Sequence, residues 1–210
     1  MARVQNPIIG QAINQAGGMI FSVWKQVKVM RSKPLSVANP NSPAQQAIRR
    51  RMALIASLMR EVLQGIRLGF VRYQNGTTQW AQFLKENFAT ATTDNGTIAA
   101  ITVNALKFAK GTLLGVSSFV RESASGQLVD TSWDDNSGQP GAAASDVLHV
   151  MLVNADGSAV AYIATTTQRS AASYTITCPA DIVASTAKVY AFFVNTAGDD
   201  VSDSQLAAFN

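Results

Sequence analysis

The chain has 210 residues, enough for one large or two small domains, and 47% of them are hydrophobic. Charged residues make up only 14% of the chain, and the single cysteine, Cys178, excludes an internal disulfide. We therefore expect a fold that is stabilised by its core alone. A surface this poor in charge is typical of proteins that bury much of their area against neighbours.

The charges are unevenly distributed along the chain. Residues 1–110 hold 14 Lys and Arg against three acids, a net charge of +11, whereas residues 111–210 hold three bases against ten acids, a net charge of −7. This split favours either a polyanion bound at one end or the basic half of one subunit docking on the acidic half of the next. Two solvated faces without a partner are the remaining interpretation.

The N-terminal segment is predicted to be extended. Residues 1–18 are interpreted as an arm, residues 19–31 as one strand, and residues 32–41 as a proline-containing connector. No run reaches the ~18 apolar residues of a membrane helix, and the first residues lack the apolar stretch of a signal peptide. One face of the predicted strand comprises Phe21, Val23, Val27 and Val29.

The clearest predicted helix begins after Ser42. Ser42 is a favourable N-cap, and Pro43 occupies the first helical position, where proline is preferred. Gly65 and Gly69 either allow another backbone to approach closely or weaken the end of the helix. An apolar stripe, suited to a core or a subunit interface, comprises Ile48, Met52, Ile55, Met59, Val62 and Ile66.

A second, shorter helix is predicted after Asn75-Gly76, capped by Thr77 or Thr78. It would form a helical hairpin with the first. Residues 90–97 are interpreted as a loop, which places the domain boundary between residues 97 and 98. The predicted apolar side of this second helix comprises Trp80, Phe83, Leu84 and Phe88.

After residue 97 the pattern becomes that of strands, with turn signals about every ten residues. Trp133 on an early strand and Tyr190 on a late strand favour an immunoglobulin-like or fibronectin-III-like sandwich. The expected fold class is thus α+β: an N-terminal arm, strand and helical hairpin over 1–97, then an all-β sandwich over 98–210. The candidate strands are 98–103, 105–110, 112–121, 127–133, 147–154, 159–166, 173–178, 187–195 and 200–205.

The sequence offers little for catalysis. His149, the only histidine, shares a strand face with apolar residues, which favours packing over a role as base or ligand. The motifs of a nucleophile elbow, a phosphate-binding loop and a dinucleotide fold are all absent. We therefore expect a non-enzymatic protein without a cofactor, catalytic residues or a metal site. Two groups of aspartates match no calcium loop and are typical of turns: Asp130, Asp134 and Asp135, and Asp199, Asp200 and Asp203.

The most suggestive feature is a basic segment without acids. Phosphate neutralisation by Lys and Arg needs no motif, so nucleic-acid contact is one hypothesis. Three consecutive arginines on a helix point in three directions, which favours docking on an acidic protein surface instead. The predicted partner-binding residues are Lys25, Lys28, Arg31, Lys33, Arg49, Arg50 and Arg51.

Several segments together resemble an uncharacterised family of proteins of about this length from Bacteroidetes-type bacteria and their phages. The resemblance covers nearly the whole chain, and it implies an immunoglobulin or fibronectin-type C-terminal part and a bacterial or phage source. No activity is assigned to that family, so the resemblance implies no site residues. The segments are Gly18–Lys25, Val29–Pro34, Pro40–Gln46 with Arg50, Phe83–Asn87, Phe108–Gly111, Ser132–Asn136, Arg169–Tyr174 and Val201–Ser204.

Three functions are therefore weighed. The favoured one is a structural component of a phage virion, such as a capsid-associated, decoration or tail protein, that assembles through its arm and helices with itself or other virion proteins. It would reside in the virion, or in the cytoplasm before assembly. The alternatives are a bacterial surface adhesion module and a nucleic-acid-binding protein that uses the basic half.

Overall fold

The structure, a computed structural model, describes residues 14–16, 18–24, 27–34, 36, 39–73 and 76–209. The chain divides into two compact units, residues 1–41 and residues 42–210, and each is described by itself. This division lies at the connector, 56 residues before the boundary that the sequence predicts between residues 97 and 98.

The first unit contains a three-stranded antiparallel sheet. Its strands are β1 (Asn14–Ala16), β2 (Met19–Trp24) and β3 (Val27–Ser32), in that order. The prediction of a single strand over 19–31 is wrong, because the chain reverses between β2 and β3. Alternation of apolar and polar residues continues across a two-residue connection, so it does not reveal the reversal. Phe21 pairs with Met30 and Ser22 with Val29, which puts Phe21 and Val29 on opposite faces rather than the same one.

Three helices begin the second unit. Helix α1 (Pro43–Glu61) is capped as predicted, since Ser42 Oγ accepts a hydrogen bond from Gln45 N at 3.4 Å and Gln45 Oε1 accepts one from Ser42 N at 3.4 Å. Val62 separates α1 from α2 (Leu63–Gly69), and a 3-10 turn at Val71–Tyr73 follows. Helix α3 (Gln79–Asn87) is capped by Thr78, whose Oγ1 accepts from Ala81 N at 3.2 Å.

A small hairpin replaces the loop that was predicted at residues 90–97. Strands β4 (Thr92–Asp94) and β5 (Ala99–Ile101) pair across a turn in which Asn95 Oδ1 accepts from Thr97 N and Ile98 N at 2.9 and 2.8 Å. The hairpin packs on α1. The Asn95-Gly96 dipeptide in the turn is a local hairpin signal, and the contact with α1 adds tertiary support for the pairing.

The remaining strands form two four-stranded sheets, here called the paired sheets. One has the order β10-β7-β6-β13 and the other β12-β11-β8-β9. The predicted strand 105–110 is absent, and 200–205 contributes only isolated bridges and the start of β12. The strands are β6 (Ser117–Ser125), β7 (Leu128–Asp134), β8 (Val147–Val153), β9 (Val160–Gln168), β10 (Ser173–Thr177), β11 (Lys188–Val194), β12 (Gln205–Leu206) and β13 (Ala208–Phe209).

Strands β8 and β11 are buried on both faces. On one face, Val150 and Phe193 belong to the core between the paired sheets, where the Trp133 and Phe193 rings lie 6.2 Å apart. On the other face, Met151 and Phe192 share a core with the three helices. The helices therefore form a layer on the sheet, and the second unit is a mixed α+β structure.

Candidate interaction surfaces

The predicted basic residues divide between the two units. Lys28, Arg31 and Lys33 belong to the first unit and are exposed, whereas Arg49, Arg50 and Arg51 lie on α1 in the second unit. Lys25 lies outside the described residues. The first unit carries five Lys and Arg and no acid, so it is basic without the arginines of the second unit.

Arg50 and Arg51 stabilise the second unit internally. Arg50 Nε and Nη2 donate to the carboxylate of Asp94 at 2.8 and 2.7 Å, and these bonds hold the pKa of Asp94 at about 2. Arg51 Nε donates to Thr92 Oγ1 at 2.9 Å, and its guanidinium lies 4.4 Å from the centroid of the Phe88 ring. Both arginines thus attach α1 to the β4–β5 hairpin, a role that their position in a basic run does not predict.

The apolar stripe on the first helix is mostly core. Ile55, Met59 and Val62 are buried against the sheet β12-β11-β8-β9, as is Ile66 on α2. Met52 is half-buried, and Ile48 remains 51% exposed near the start of α1. The buried part of the stripe holds the helical layer in place, and only its N-terminal end reaches the surface.

His149 lies at the margin of the helix-facing side of β8. Its ring stacks on Tyr162 and Phe192, with centroids 5.9 and 5.7 Å away, and Tyr162 Oη lies 2.8 Å from His149 Nδ1. Burial lowers the pKa of His149 to about 4. The histidine is therefore a neutral packing residue at physiological pH.

We expect this histidine to make the protein sensitive to acid. The unfolded chain binds the proton at about pH 6.5 and the folded chain only near pH 4, so the free energy of unfolding falls as pH drops through this interval. After allowance for partial solvent access, the loss amounts to about 1 to 2 kcal/mol. Urea unfolding of the wild type and of His149→Gln at both ends of the interval checks this. An equal loss in the variant would assign the acid sensitivity to other groups.

Cys178 is buried, and Asp199 and Asp200 are hydrogen-bonded within the second unit. The Cys178 thiol is buried, and burial raises its pKa. Asp200 accepts from Thr112 Oγ1 at 2.6 Å and pairs with Arg72, and Asp199 accepts from Asn195 Nδ2 at 2.6 Å. In the described part of the chain, no group of three or more His, Cys, Asp or Glu side chains is placed to hold a metal ion.

Two of the three basic residues in the acidic half are buried. Arg169 is fully buried and pairs with buried Asp146, with Nη2 3.0 Å from Oδ2. Its Nη1 donates to Asn136 Oδ1 at 2.6 Å, and its guanidinium lies 3.9 Å from the centroid of the Phe193 ring. Trp133 Nε1 donates to the Arg169 carbonyl at 2.8 Å. Through these contacts Arg169 connects β7, β11 and the loop before β8.

Arg121 on β6 is buried without an ion-pair partner among the described residues. Its Nη2 donates to the Ala184 carbonyl at 2.5 Å, and burial lowers its pKa. The centroid of the Phe209 ring lies near two cations, 4.7 Å from the Arg121 guanidinium and 4.2 Å from Lys188 Nζ. Because Arg121 and Arg169 are internal, Lys188 is the one base of residues 111–209 outside the core.

The outer face of the β10-β7-β6 sheet is acidic and rich in hydroxyl groups. Asp130 accepts from Thr175 Oγ1 at 2.6 Å and from Ser123 Oγ at 2.7 Å, which lowers its pKa. Ser118 Oγ donates to Asp134. These hydroxyl donors fix the positions of both carboxylates, so the face presents ordered acidic groups.

The first unit presents the opposite character. All six residues of β3 are exposed, and its apolar side chains include Val27 at 60% and Met30 at 63% exposure. Met19 on β2 is 49% exposed. Cationic and apolar side chains therefore share one small sheet, an arrangement typical of a surface that binds a partner.

The molecule is thus a mixed α+β protein with a basic, apolar N-terminal sheet and an acidic pair of sheets. Among the described residues, no helix is long and apolar enough to cross a membrane. The chain belongs to DUF6266, a family of unknown function, which it matches over residues 11–207. The predicted membership of an uncharacterised family is confirmed. No curated protein and no solved structure matches the chain.

Proposed function

We propose that this protein is a non-enzymatic structural subunit, of the kind that builds a phage particle, in which copies bind one another through the first unit. The observation that carries the proposal is the sheet of the first unit, which exposes Val27, Met30 and Met19 beside Lys28 and Arg31. Exposed apolar groups on a small sheet are stabilised when a neighbour covers them. The acidic outer face of the paired sheets supplies a complementary surface on every copy.

The strand order supports an immunoglobulin-like type for the paired sheets. With β6, β7 and β10 as strands A, B and E, and β9, β8, β11 and β12 as C′, C, F and G, both sheets follow the order of that fold. The hallmarks differ, because Trp133 lies on the second strand and no cysteine pair joins the sheets. Such sandwiches serve as display or packing modules in many assemblies, so this type fits a structural subunit without specifying it.

Nucleic-acid binding through the basic half remains the alternative. Lys28, Arg31 and Lys33 are exposed, as that function requires. Arg50 and Arg51, however, already bind Asp94, Thr92 and Phe88 within the second unit. The cations left for phosphates are fewer than the sequence indicates, which favours the protein partner.

Light scattering of the purified protein at low and at high salt tests the proposal. We expect a mass of several subunits at low salt that falls at about 1 M salt, where the screening length shrinks to about 3 Å. The fall follows because opposite charges attract less across a screened contact. A monomer at both salt concentrations contradicts self-assembly, and a mass unchanged by salt contradicts the role of charge.

A further inference from the structure

We propose that the face of β3 carrying Val27, Val29 and Arg31 packs on the outer face of β7 in a second copy of this chain. The proposal rests on the structural function proposed above, and it adds the surface that each copy contributes. The contact is head-to-tail, because the two faces are unlike.

Strand β3 of the first unit is exposed on both faces. A small antiparallel sheet needs a second layer against one face for stability in water. Every residue of β3 is exposed, and Val27 and Met30 are among the most exposed apolar side chains described. A layer supplied by another molecule would satisfy that need.

One face of β3 carries an ordered row. Val27, Val29 and Arg31 alternate along the strand and therefore point to the same side. Lys33 continues the row, because its backbone N–H donates to the Gly18 carbonyl at 2.7 Å and extends the pairing with β2. The row thus has two apolar residues followed by two cations, spaced about 7 Å apart.

The outer face of β7 carries a matching row. Val129, Thr131 and Trp133 are buried, which fixes the alternate residues on the outside. The outward row is Leu128, which is 46% exposed, then Asp130, Ser132 and Asp134.

The two rows match in period and in chemistry. Both repeat about every 7 Å, so a parallel alignment that sets Leu128 against Val27 puts Asp134 opposite Lys33 and leaves Arg31 opposite Ser132, between the two carboxylates. Neither Asp130 nor Asp134 has an ion-pair partner among the described residues. In that alignment Lys33 faces Asp134 directly, and the long Arg31 side chain has to extend along the row to reach Asp130.

The composition of the face favours a second copy over a nucleic acid. A phosphate backbone would neutralise Arg31 and Lys33 but would leave Val27 and Val29 uncovered. The first unit holds no acid at all, so two first units repel each other. An acidic face with an apolar residue in it is the surface that this row fits, and each copy carries one.

A charge swap tests the pairing. One variant, R31E/K33E, reverses the row on β3, and a second, D130K/D134K, reverses the row on β7. In sedimentation velocity at low salt we expect each variant alone to associate at least tenfold more weakly than the wild type. An equimolar mixture of the two should regain association, because the unaltered row of each variant fits the unaltered row of the other and the two reversed rows also complement each other. The matched control, D156K/D181K, reverses two exposed acids outside the row and should associate like the wild type.

The outcomes separate this proposal from the one on which it rests. If the mixture stays dissociated, or if the control weakens association as much, the pairing of these faces is overturned while assembly stands. A monomeric wild type refutes assembly itself. If R31E/K33E keeps wild-type association but loses retention of a single-stranded oligonucleotide, the cations serve a nucleic acid and the pairing is overturned. Melting curves of all variants within a few degrees of the wild type establish that each is folded.

Discussion

Replacing Arg169 with methionine is expected to lower the free energy of unfolding by about 3–5 kcal/mol, as is typical when one partner of a buried ion pair is removed. The substitution leaves the buried Asp146 carboxylate without its counter-charge. It also leaves Asn136 Oδ1 and the Leu114 carbonyl without the donors that Arg169 supplies at 2.6 and 3.0 Å. Buried acceptors without donors add to the cost.

The measurement is urea unfolding, with Arg121→Met as the matched control. Arg121 is also buried, but it donates to the Ala184 and Ala187 carbonyls and faces no carboxylate. Its replacement therefore removes hydrogen bonds without stranding a charge, and we expect a smaller loss. A double variant, R169M/D146L, should recover part of the stability, because no lone charge remains. Equal losses for the two single variants would show that the ion pair is not what distinguishes Arg169.

The second large effect is expected for Gly69→Ala, at about 3 kcal/mol of destabilisation. In an exposed helix, replacing Gly with Ala raises the free energy of unfolding by about 0.5–1 kcal/mol. At Gly69 we expect the free energy of unfolding to fall instead. The reason is a close approach of two backbones. A Cβ on Gly69 would overlap the Phe108 carbonyl oxygen and lie 3.0 Å from Ala109 Cα.

Thermal unfolding of Gly69→Ala and Gly18→Ala provides the comparison. A Cβ on Gly18 would meet nothing within 4 Å, so that variant should melt close to the wild type. Neither Phe108 O nor Ala109 Cα can rotate away as a side-chain tip can, since both are backbone. A stabilised Gly69→Ala protein would mean that this segment shifts freely and that the helical layer is not held at α2.

Local signals in the sequence predict the helices well. Ser42 and Pro43 mark the start of α1, and Thr78 marks the start of α3, because a cap depends on residues three positions away. Of the two roles that the sequence allows for Gly69, the structure shows the close approach. The buried part of the apolar stripe is also found where its period puts it.

Features that depend on distant residues escape prediction. Arg121 and Arg169 look like surface charges, and their burial depends on carbonyls and carboxylates 23 to 66 residues away. The reversal between β2 and β3 is hidden because alternation continues across it. The β4–β5 hairpin has a local turn signal in Asn95-Gly96, but its attachment to α1 depends on Arg50, 44 residues before Asp94. The acidic face of β7 follows from pairing with β6 and β10, so its Ser and Thr donors are invisible in the linear sequence.

The boundary between the compact units after Asn41 also divides the chain into a cationic part and a weakly anionic part. The intact chain has a net charge of +4, but residues 42–210 hold 12 bases and 13 acids, a net charge of −1. The whole cationic surplus therefore belongs to the smaller unit. Proteolytic cleavage at the connector would turn a chain that binds cation exchangers at neutral pH into a weakly anionic one. The released body would differ from its parent in solubility and in electrophoretic direction.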